Sequence, residues 1–422
     1  MRILITNNTL AERAGSELYV RDLATALIRC GHHPVAYSQV LGEVAGELRA
    51  AGVPVVDDLA RIAGPPDVIH GQHHLETMTA LNWFPGVPAI FVCHGWLPWQ
   101  EAPPVHPRIL RYVAVDELCR QRLLGEAGID PDTIEIILNF VDLDRFKPRQ
   151  PLPEVPARAL LYSNHAGSGE IAEQVALACS RKGIDLDVVG LASGNPTAVP
   201  ETLLPKYDIV FAKARAALEA MAVGCAVVLC DTPGSGPMVD SNNFVNLRPL
   251  NFGLKALSQP LSADVLAAQV ARYDRDDAAA VRDRVRREAN VSDVVDRLLV
   301  LYQEVAGGRT ALPEDEGRAN AWYLRALAPR IKENDEFHLR LADAAEETRR
   351  WRLGNECLNE SVEWLEASRS RLEERTSGLE SEAHALREEL DRAYGTVTWR
   401  FREHLLRTRG GQFLRRVLGI FR

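Results

Sequence analysis

Short runs of apolar, β-branched residues alternate with amphipathic stretches through most of the chain. Arg2–Thr6 reads as a buried strand. A polar loop with Gly15 follows, then a helix from Ser16 to Cys30 stopped by Gly31. Further strands are expected at Pro34–Tyr37, Val53–Val56, Asp67–His70, Ala89–Cys93, Arg111–Val115 and Thr133–Leu138. Four prolines, at 148, 151, 153 and 156, mark a linker within Phe146–Ala157. The pattern then restarts, with strands at Ala159–Ser163, Leu186–Val189, Tyr207–Phe211 and Ala226–Cys230. Helices are expected at Gly169–Lys182 and Ala216–Val223, and closing helices at Ala263–Tyr273, Ala278–Ala289 and Val291–Ala306. Strand–helix alternation of this kind builds parallel sheets covered by helices on both faces. The fold class is therefore α/β, with two Rossmann-like doubly wound domains facing a cleft. Ligands of such sheets sit beyond the carboxyl ends of the strands.

After Gly307 and Gly308 the pattern changes to a highly charged helical one. Trp351, Leu358, Leu365, Leu372, Leu379, Leu386 and Ala393 recur every seventh residue. The companion line of Val362, Arg369, Thr376, Ala383 and Leu390 is a weaker seam. This heptad pattern suits a coiled coil, or a single long helix packed on the domains. From Arg400 to Arg422, seven arginines face one acid, Glu403. Leu414, Val417, Leu418 and Phe421 share a helical face, and Arg415, Arg416 and Arg422 lie off it. Such a basic amphipathic tail suits an anionic membrane surface. The expected divisions are 1–147 for the first Rossmann-like domain, 148–306 for the second, 307–315 for a linker, 316–396 for the helical extension and 397–422 for the tail.

A length of 422 residues suits two domains and an appendage, and a net charge of −9 argues against a general nucleic-acid binder. The seven cysteines form no C-x-x-C pair and read as buried free thiols in a reducing compartment. No secretory signal or membrane-spanning run is legible, so a cytoplasmic location is expected, with peripheral attachment at the inner membrane face through the tail.

The segment YDIVFAKARAALEAMAVGCAVVLCD, residues 207–231, holds the most informative chemistry. It reads as a strand, a loop with Lys213 and Arg215, a short helix with Glu219, and a second buried strand. The pattern resembles the nucleotide-sugar site of GT-B glycosyltransferases, and of glycosyltransferase family 4 in particular. NFVDLDRFKP at 139–148, the Ala14-Gly15-Ser16-Glu17 turn and the FVCHGW segment at 91–96 add to the resemblance, which spans residues 1–306. By that resemblance Glu219 holds the donor ribose, since a carboxylate can accept both vicinal hydroxyls. His94 orients the donor sugar, and Gly15 belongs to the turn before the first helix. Lys213 and Arg215 are candidates for the diphosphate, where helix N-termini also favour anions. Asn164 and Gly190 complete the expected donor-binding set, and the backbone amides of Asn251-Phe252-Gly253 are a further candidate. His94 and Glu219 are the expected catalytic residues.

Two features depart from the family pattern. Phe211 stands eight positions before Glu219, where the family has the first glutamate of an E-x7-E pair. Ser163-Asn164-His165 stand where an Arg and a Lys are usual. His70, His73 and His74 match no standard zinc spacing and read as residues of a surface loop; no metal and no cofactor are expected. The resemblance implies transfer of a sugar from a nucleotide-sugar donor to a glycan or lipid-linked acceptor, with retention of configuration and without a metal. A place in polysaccharide biosynthesis fits the tail. Two alternatives stay open: a non-catalytic GT-B-like scaffold acting through its coiled coil, and another GT-B enzyme such as a nucleotide-sugar epimerase. Self-association through 351–393 is expected.

Overall fold

The computed structural model describes all residues except 168, 309–311, 409, 411, 412 and 414–422. It divides into two compact units, Met1–Ala326 and Leu327–Arg422.

The first unit contains two sheets. Strands β1 (Arg2–Thr6), β2 (His33–Tyr37), β3 (Val55–Val56), β4 (Val68–Gln72), β5 (Ala89–Cys93), β6 (Ile109–Ala114) and β7 (Ile134–Ile136) form a seven-stranded sheet of order β3-β2-β1-β4-β5-β6-β7. Every pair in it is parallel. Helices α1 (Gly15–Arg29), α2 (Glu43–Ala50), α3 (His74–Trp83) and α4 (Glu117–Leu124) connect the strands. The second sheet has the order β12-β11-β10-β8-β9, built from β8 (Arg158–Tyr162), β9 (Asp185–Val189), β10 (Ile209–Ala212), β11 (Ala226–Asp231) and β12 (Gly234–Met238). Strand β12 runs antiparallel to β11. Its sequence GSGPM offers no apolar alternation, so it was not among the expected strands. Helices α5 (Glu170–Ser180), α6 (Pro200–Leu203), α7 (Ala214–Val223), α8 (Phe244–Leu247), α9 (Ala263–Val270) and α10 (Arg275–Glu288) belong to this half.

Helix α7 ends at Gly224, whose φ of 104° closes the helix in the left-handed conformation that a glycine adopts without steric cost. This stop turns the chain directly into β11, which is buried along its whole length.

One boundary differs from expectation. The sequence pattern makes helix α11 (Val291–Ala306) a closing helix of the second domain. Its buried stripe of Val291, Val294, Val295, Leu298, Leu301, Tyr302 and Val305 instead joins the core of the first sheet. An i, i+3, i+4 stripe shows that a helix buries one face, but not which sheet receives it. At its start the backbone is tied to the first crossing: Val141 N–H donates to Ala289 O at 2.7 Å and Val291 N–H donates to Val141 O at 3.1 Å. These bonds mark the point where the chain crosses back, since Val141 and Ala289 belong to the core of the second sheet and Val291 to that of the first. Each large aliphatic side chain buried there contributes about 1.5–3 kcal/mol.

Helix α12 runs from Pro313 to Gly395, and its start overlaps the expected 307–315 linker. Its first turns belong to the first unit. Glu316 pairs with Arg108 at 3.0 Å, Asn320 Nδ2 donates to Asn82 Oδ1 at 2.7 Å, and Tyr323 Oη lies 2.7 Å from His74 Nδ1. The second unit thus begins inside this helix, close to Pro329, which lacks the amide for one helical bond. Leu358, Leu365, Leu372, Leu379 and Leu386 are exposed along it. Helix α13 (Val397–Arg407) follows, with Trp399 packed edge-on against Tyr394. The expected membrane-facing residues Leu414, Val417, Leu418 and Phe421, with Arg415, Arg416 and Arg422, lie outside the described residues. Among the described residues no helix is long and apolar enough to cross a membrane. Five cysteines are buried, whereas Cys30 and Cys357 are exposed, contrary to the expectation for the set. Cys30 caps the end of α1 and Cys357 rides on α12, and neither position offers a core to enter.

Candidate functional site

The carboxyl ends of both sheets carry the candidate residues. On the first sheet, His94 follows β5, and its backbone N–H donates to Glu101 Oε2 at 3.0 Å. The other carboxylate oxygen of Glu101 lies 3.3 Å from His73 Nε2. His73 Nδ1 accepts from the Asn8 amide at 3.1 Å, which leaves Nε2 as the proton-bearing nitrogen of the neutral ring. His73 has a φ of 59°. A side chain held in the left-handed region costs about 1–3 kcal/mol. Burial alone would raise the Glu101 pKa, but His73, His94 and the His94 amide outweigh it, so the carboxyl is held below its usual range.

The ring of His94 packs edge-on against Tyr19 of α1, with centroids 4.5 Å apart. Burial pushes its pKa down to about 4; Glu101 opposes this, and His73 and Arg215 add to it. His94 is therefore a neutral imidazole near pH 7, suited to orienting a hydroxyl rather than to meeting a phosphate charge. His70 and His74 are also buried, not on a surface loop as expected. His70 Nδ1 meets Tyr302 Oη of α11 at 2.6 Å, and burial lowers its pKa to about 3. His74 is lowered to about 4, chiefly by burial. The three histidines lie on the end of β4 and the start of α3. The periodic pattern placed that strand two residues too short, so their burial was not legible. Among the described residues no group of three or more His, Cys, Asp or Glu is arranged to hold a metal ion.

Gly15 is the first residue of α1, where Ala14 provides no side-chain cap, and a Cβ there would meet nothing within 4 Å. Glu17, in the first turn, is buried and accepts from Ser16 Oγ at 3.0 Å. Burial raises its pKa despite that bond.

On the second sheet the two expected cations separate. Lys213, between β10 and α7, places Nζ 2.5 Å from Asp231 Oδ2 at the end of β11. Asp231 Oδ1 also accepts from Ser163 Oγ at 3.0 Å and from the Thr232 amide at 2.8 Å. Burial of Asp231 favours its neutral form, but Lys213, Thr232 and Ser163 prevail and lower its pKa. Next to this group a cavity of about 360 Å³ opens, lined by His165, Gly167, Glu170, Ala192, Thr232 and Leu261. It lies at the carboxyl ends of β8, β9 and β11 and the start of α5. A cavity of about 410 Å³ lies at the opposite, amino ends of β1 and β2, beside Arg2, His33 and Pro34, far from this chemistry. Position rather than size therefore selects the smaller one.

Arg215 turns the other way. Its Nε donates to Glu219 Oε1 at 2.8 Å, and its terminal nitrogen pairs with Asp22 of α1. Asp22 also meets Arg21 at 2.6 Å and Arg145 at 3.4 Å, and Arg145 meets Glu201 at 3.0 Å. Burial works against the Arg215 charge, yet Asp22 and Glu219 hold its pKa above the usual value. The two acids part company. Asp22 is held low, because Arg215, Arg21 and Arg145 outweigh its burial, whereas burial of Glu219 prevails over its arginines and raises it. Arg215 is thus engaged by carboxylates, Glu219 among them, rather than held as a free arm beside Lys213. Asp22 and Arg145 were missed because their partners lie 123 and 193 residues away in sequence.

Asn164 Nδ2 donates across to Arg13 O at 3.1 Å, tying the second sheet to the first. Gly190 has a φ of 157°, and a Cβ there would stand 1.9 Å from Ser163 O. Its role is to let the ends of β8 and β9 approach. The amides of Asn251, Phe252 and Gly253 donate to Arg248 O, Leu247 O and Leu250 O. They are consumed by their own turn, so the expectation that they face phosphates does not hold.

Residues 13–145 match the family model described as Glycosyltransferase Family 4. No curated protein sequence matches the chain. Among solved structures, a glycosyltransferase from Rickettsia africae is similar at 17% identity and a TM-score of 0.54, covering 73% of this chain and 99% of that one. Anabaena HepE in complex with UDP and glucose has 13% identity and a TM-score of 0.52, with 72% and 100% covered. The sucrose-phosphate synthase of Thermosynechococcus elongatus has 16% identity and a TM-score of 0.51, with 72% and 98% covered. The two facing parallel-dominated sheets are the GT-B fold of glycosyltransferases, and the first of them resembles glycosyltransferase family 4 in sequence as well.

Proposed function

We propose that this protein transfers a sugar from a nucleotide-sugar donor to a glycan or lipid-linked acceptor, with retention and without a metal. The observation that carries the reading is the cavity at the carboxyl ends of β8, β9 and β11, whose lining residues His165 and Thr232 contact Asp231, the partner of Lys213. It stands where a nucleotide belongs in a doubly wound sheet, and the complex of Anabaena HepE with UDP and glucose suggests the class of donor. In the reaction the bond from the anomeric carbon to the diphosphate breaks and one to an acceptor oxygen forms. The acceptor loses a proton and a nucleoside diphosphate leaves. Lys213, only part-buried, meets the charge that grows on the diphosphate, and the start of α5 adds its amides. Neutral His94 orients the sugar. Glu219, its carboxylate fixed by Arg215, holds the ribose.

The test is a thermal-shift panel of nucleosides, nucleoside diphosphates and nucleotide sugars on the full chain, run with and without EDTA. Diphosphates should stabilise more than bare nucleosides, and EDTA should not matter. Lys213→Ala should weaken diphosphate binding by about 1.5–3 kcal/mol and nucleoside binding little. A second reading, a non-catalytic scaffold, draws support from Phe211, which is fully buried inside β10 where the family has a glutamate. A flat panel, with no nucleotide shifting the melt, would favour the scaffold and sink the enzyme.

A further inference from the structure

The loop that follows His94 exposes an unusual amount of aromatic surface. Trp96 is 41% exposed, Leu97 73% and Trp99 39%. Soluble surfaces rarely gather large apolar side chains this way without a partner. The loop is also pinned. Arg122 donates to Gly95 O at 2.6 Å and to Pro98 O at 3.0 Å, and Glu101 holds the His94 amide. The Trp99 ring stands edge-on to His74, 4.4 Å between centroids. The two indoles are therefore presented by a fixed backbone, beside His94 and at the ligand edge of the first sheet.

We propose that the segment His94–Glu101 is a carbohydrate-binding platform on which Trp96 and Trp99 receive the C–H face of a pyranose ring. In terms of the function proposed above, on which this assignment rests, that ring belongs to the acceptor. A pyranose has an apolar face and a hydroxyl rim. An indole offers a rigid apolar surface that loses little conformational entropy on binding. Part-exposed Gln100 in the same loop provides an amide for the rim. Charge favours a sugar over a bilayer. The segment 94–107 contains no Lys or Arg, and its Glu101 is buried against His73. The nearby guanidinium of Arg122 is occupied by the loop's own carbonyls. A loop that enters an anionic surface would carry free cations.

The experiment uses the full-length protein and saturation-transfer difference NMR with methyl β-D-glucopyranoside and with maltose. Ring C–H protons should receive saturation from the wild type. The double variant Trp96→Ala/Trp99→Ala should lose at least about fivefold of that signal, as expected for removing aromatic contacts of about 1 kcal/mol. The variant with phenylalanine at both positions should retain most of it, and circular dichroism melts check that each variant folds. Binding of UDP, titrated into the same samples, should survive in both variants. Absence of a sugar signal from the wild type, or an equal signal from the double alanine variant, overturns the platform. So does sedimentation with phosphatidylglycerol vesicles that the double variant loses while its sugar signal stays. If UDP binds to none of the samples, the donor reading fails, while the sugar signals still decide the platform.

Discussion

The two units break the ordinary rule of burial in opposite directions. The first hides polar groups: Asp22, Glu17, His70, His74, Glu219 and Asp231 are all buried. The second leaves apolar groups in water: Trp351, Leu358, Leu365, Leu372, Leu379 and Leu386 are each more than half exposed along α12. A buried charge is tolerable only when paired, and an exposed leucine line only when nothing better is at hand. The body solves its problem internally, through Arg215, Arg145 and Lys213. Among the described residues the extension offers that line no cover within its own helix, and the self-association expected through 351–393 would supply it.

The sharpest way to break this contrast is Arg215→Ala. It leaves Asp22 and Glu219 facing each other without the cation that separates them. Removing one partner of a buried ion pair costs about 3–5 kcal/mol. Denaturant unfolding should show a loss of that size, and a change below about 1 kcal/mol would mean the network is well hydrated.

A smaller effect comes from pH. His70, His74 and His106 have folded pKa values lowered to about 3, 4 and 4 by burial. The unfolded chain binds protons there near pH 6.5, while the folded chain does not. Stability is thus full above about pH 6.5 and falls as pH drops toward 4. Each group contributes a slope of about 1.4 kcal/mol per pH unit. His70→Gln should flatten the acid limb of a stability–pH curve by one such slope. An unchanged limb would show that His70 takes up its proton without unfolding.

The smallest thermodynamic effect should come from shortening the chain. A stop after Ala326 keeps the contacts of Glu316, Asn320 and Tyr323 with the body. Its melt should match the full chain, while its mass in sedimentation velocity falls to that of a monomer. If the full chain already sediments as a monomer, the heptad line has no self-partner. A stop after Leu312 removes those three contacts and should melt lower.

Much of the architecture was legible. The limits of β1, β5 and α11 agree with the apolar runs because each run is bounded by polar or turn residues. The motif around Glu219 located a real junction of strand, loop and buried carboxylate. What was not legible depends on distance along the chain. The sheet that receives α11, the partner of Arg215 and the burial of His73 against Glu101 are set by residues far away in sequence. Local periodicity carries no information on such pairs. Trp96 closes the segment that carries His94 and Trp99 lies three residues beyond it, and the exposure of both depends on how the loop folds.

The backbone bonds joining Val141 to Ala289 and Val291 have a mechanical consequence. The chain passes between the two halves of the body twice, once on each side of this short bridge, and the two passages are laced together. A single tether would let the halves swivel in any direction. Two tethers side by side behave like the leaves of a door hinge, permitting one swing and resisting twist. A swing about that axis would separate Asn164 from Arg13 and Arg215 from Asp22 in the same stroke.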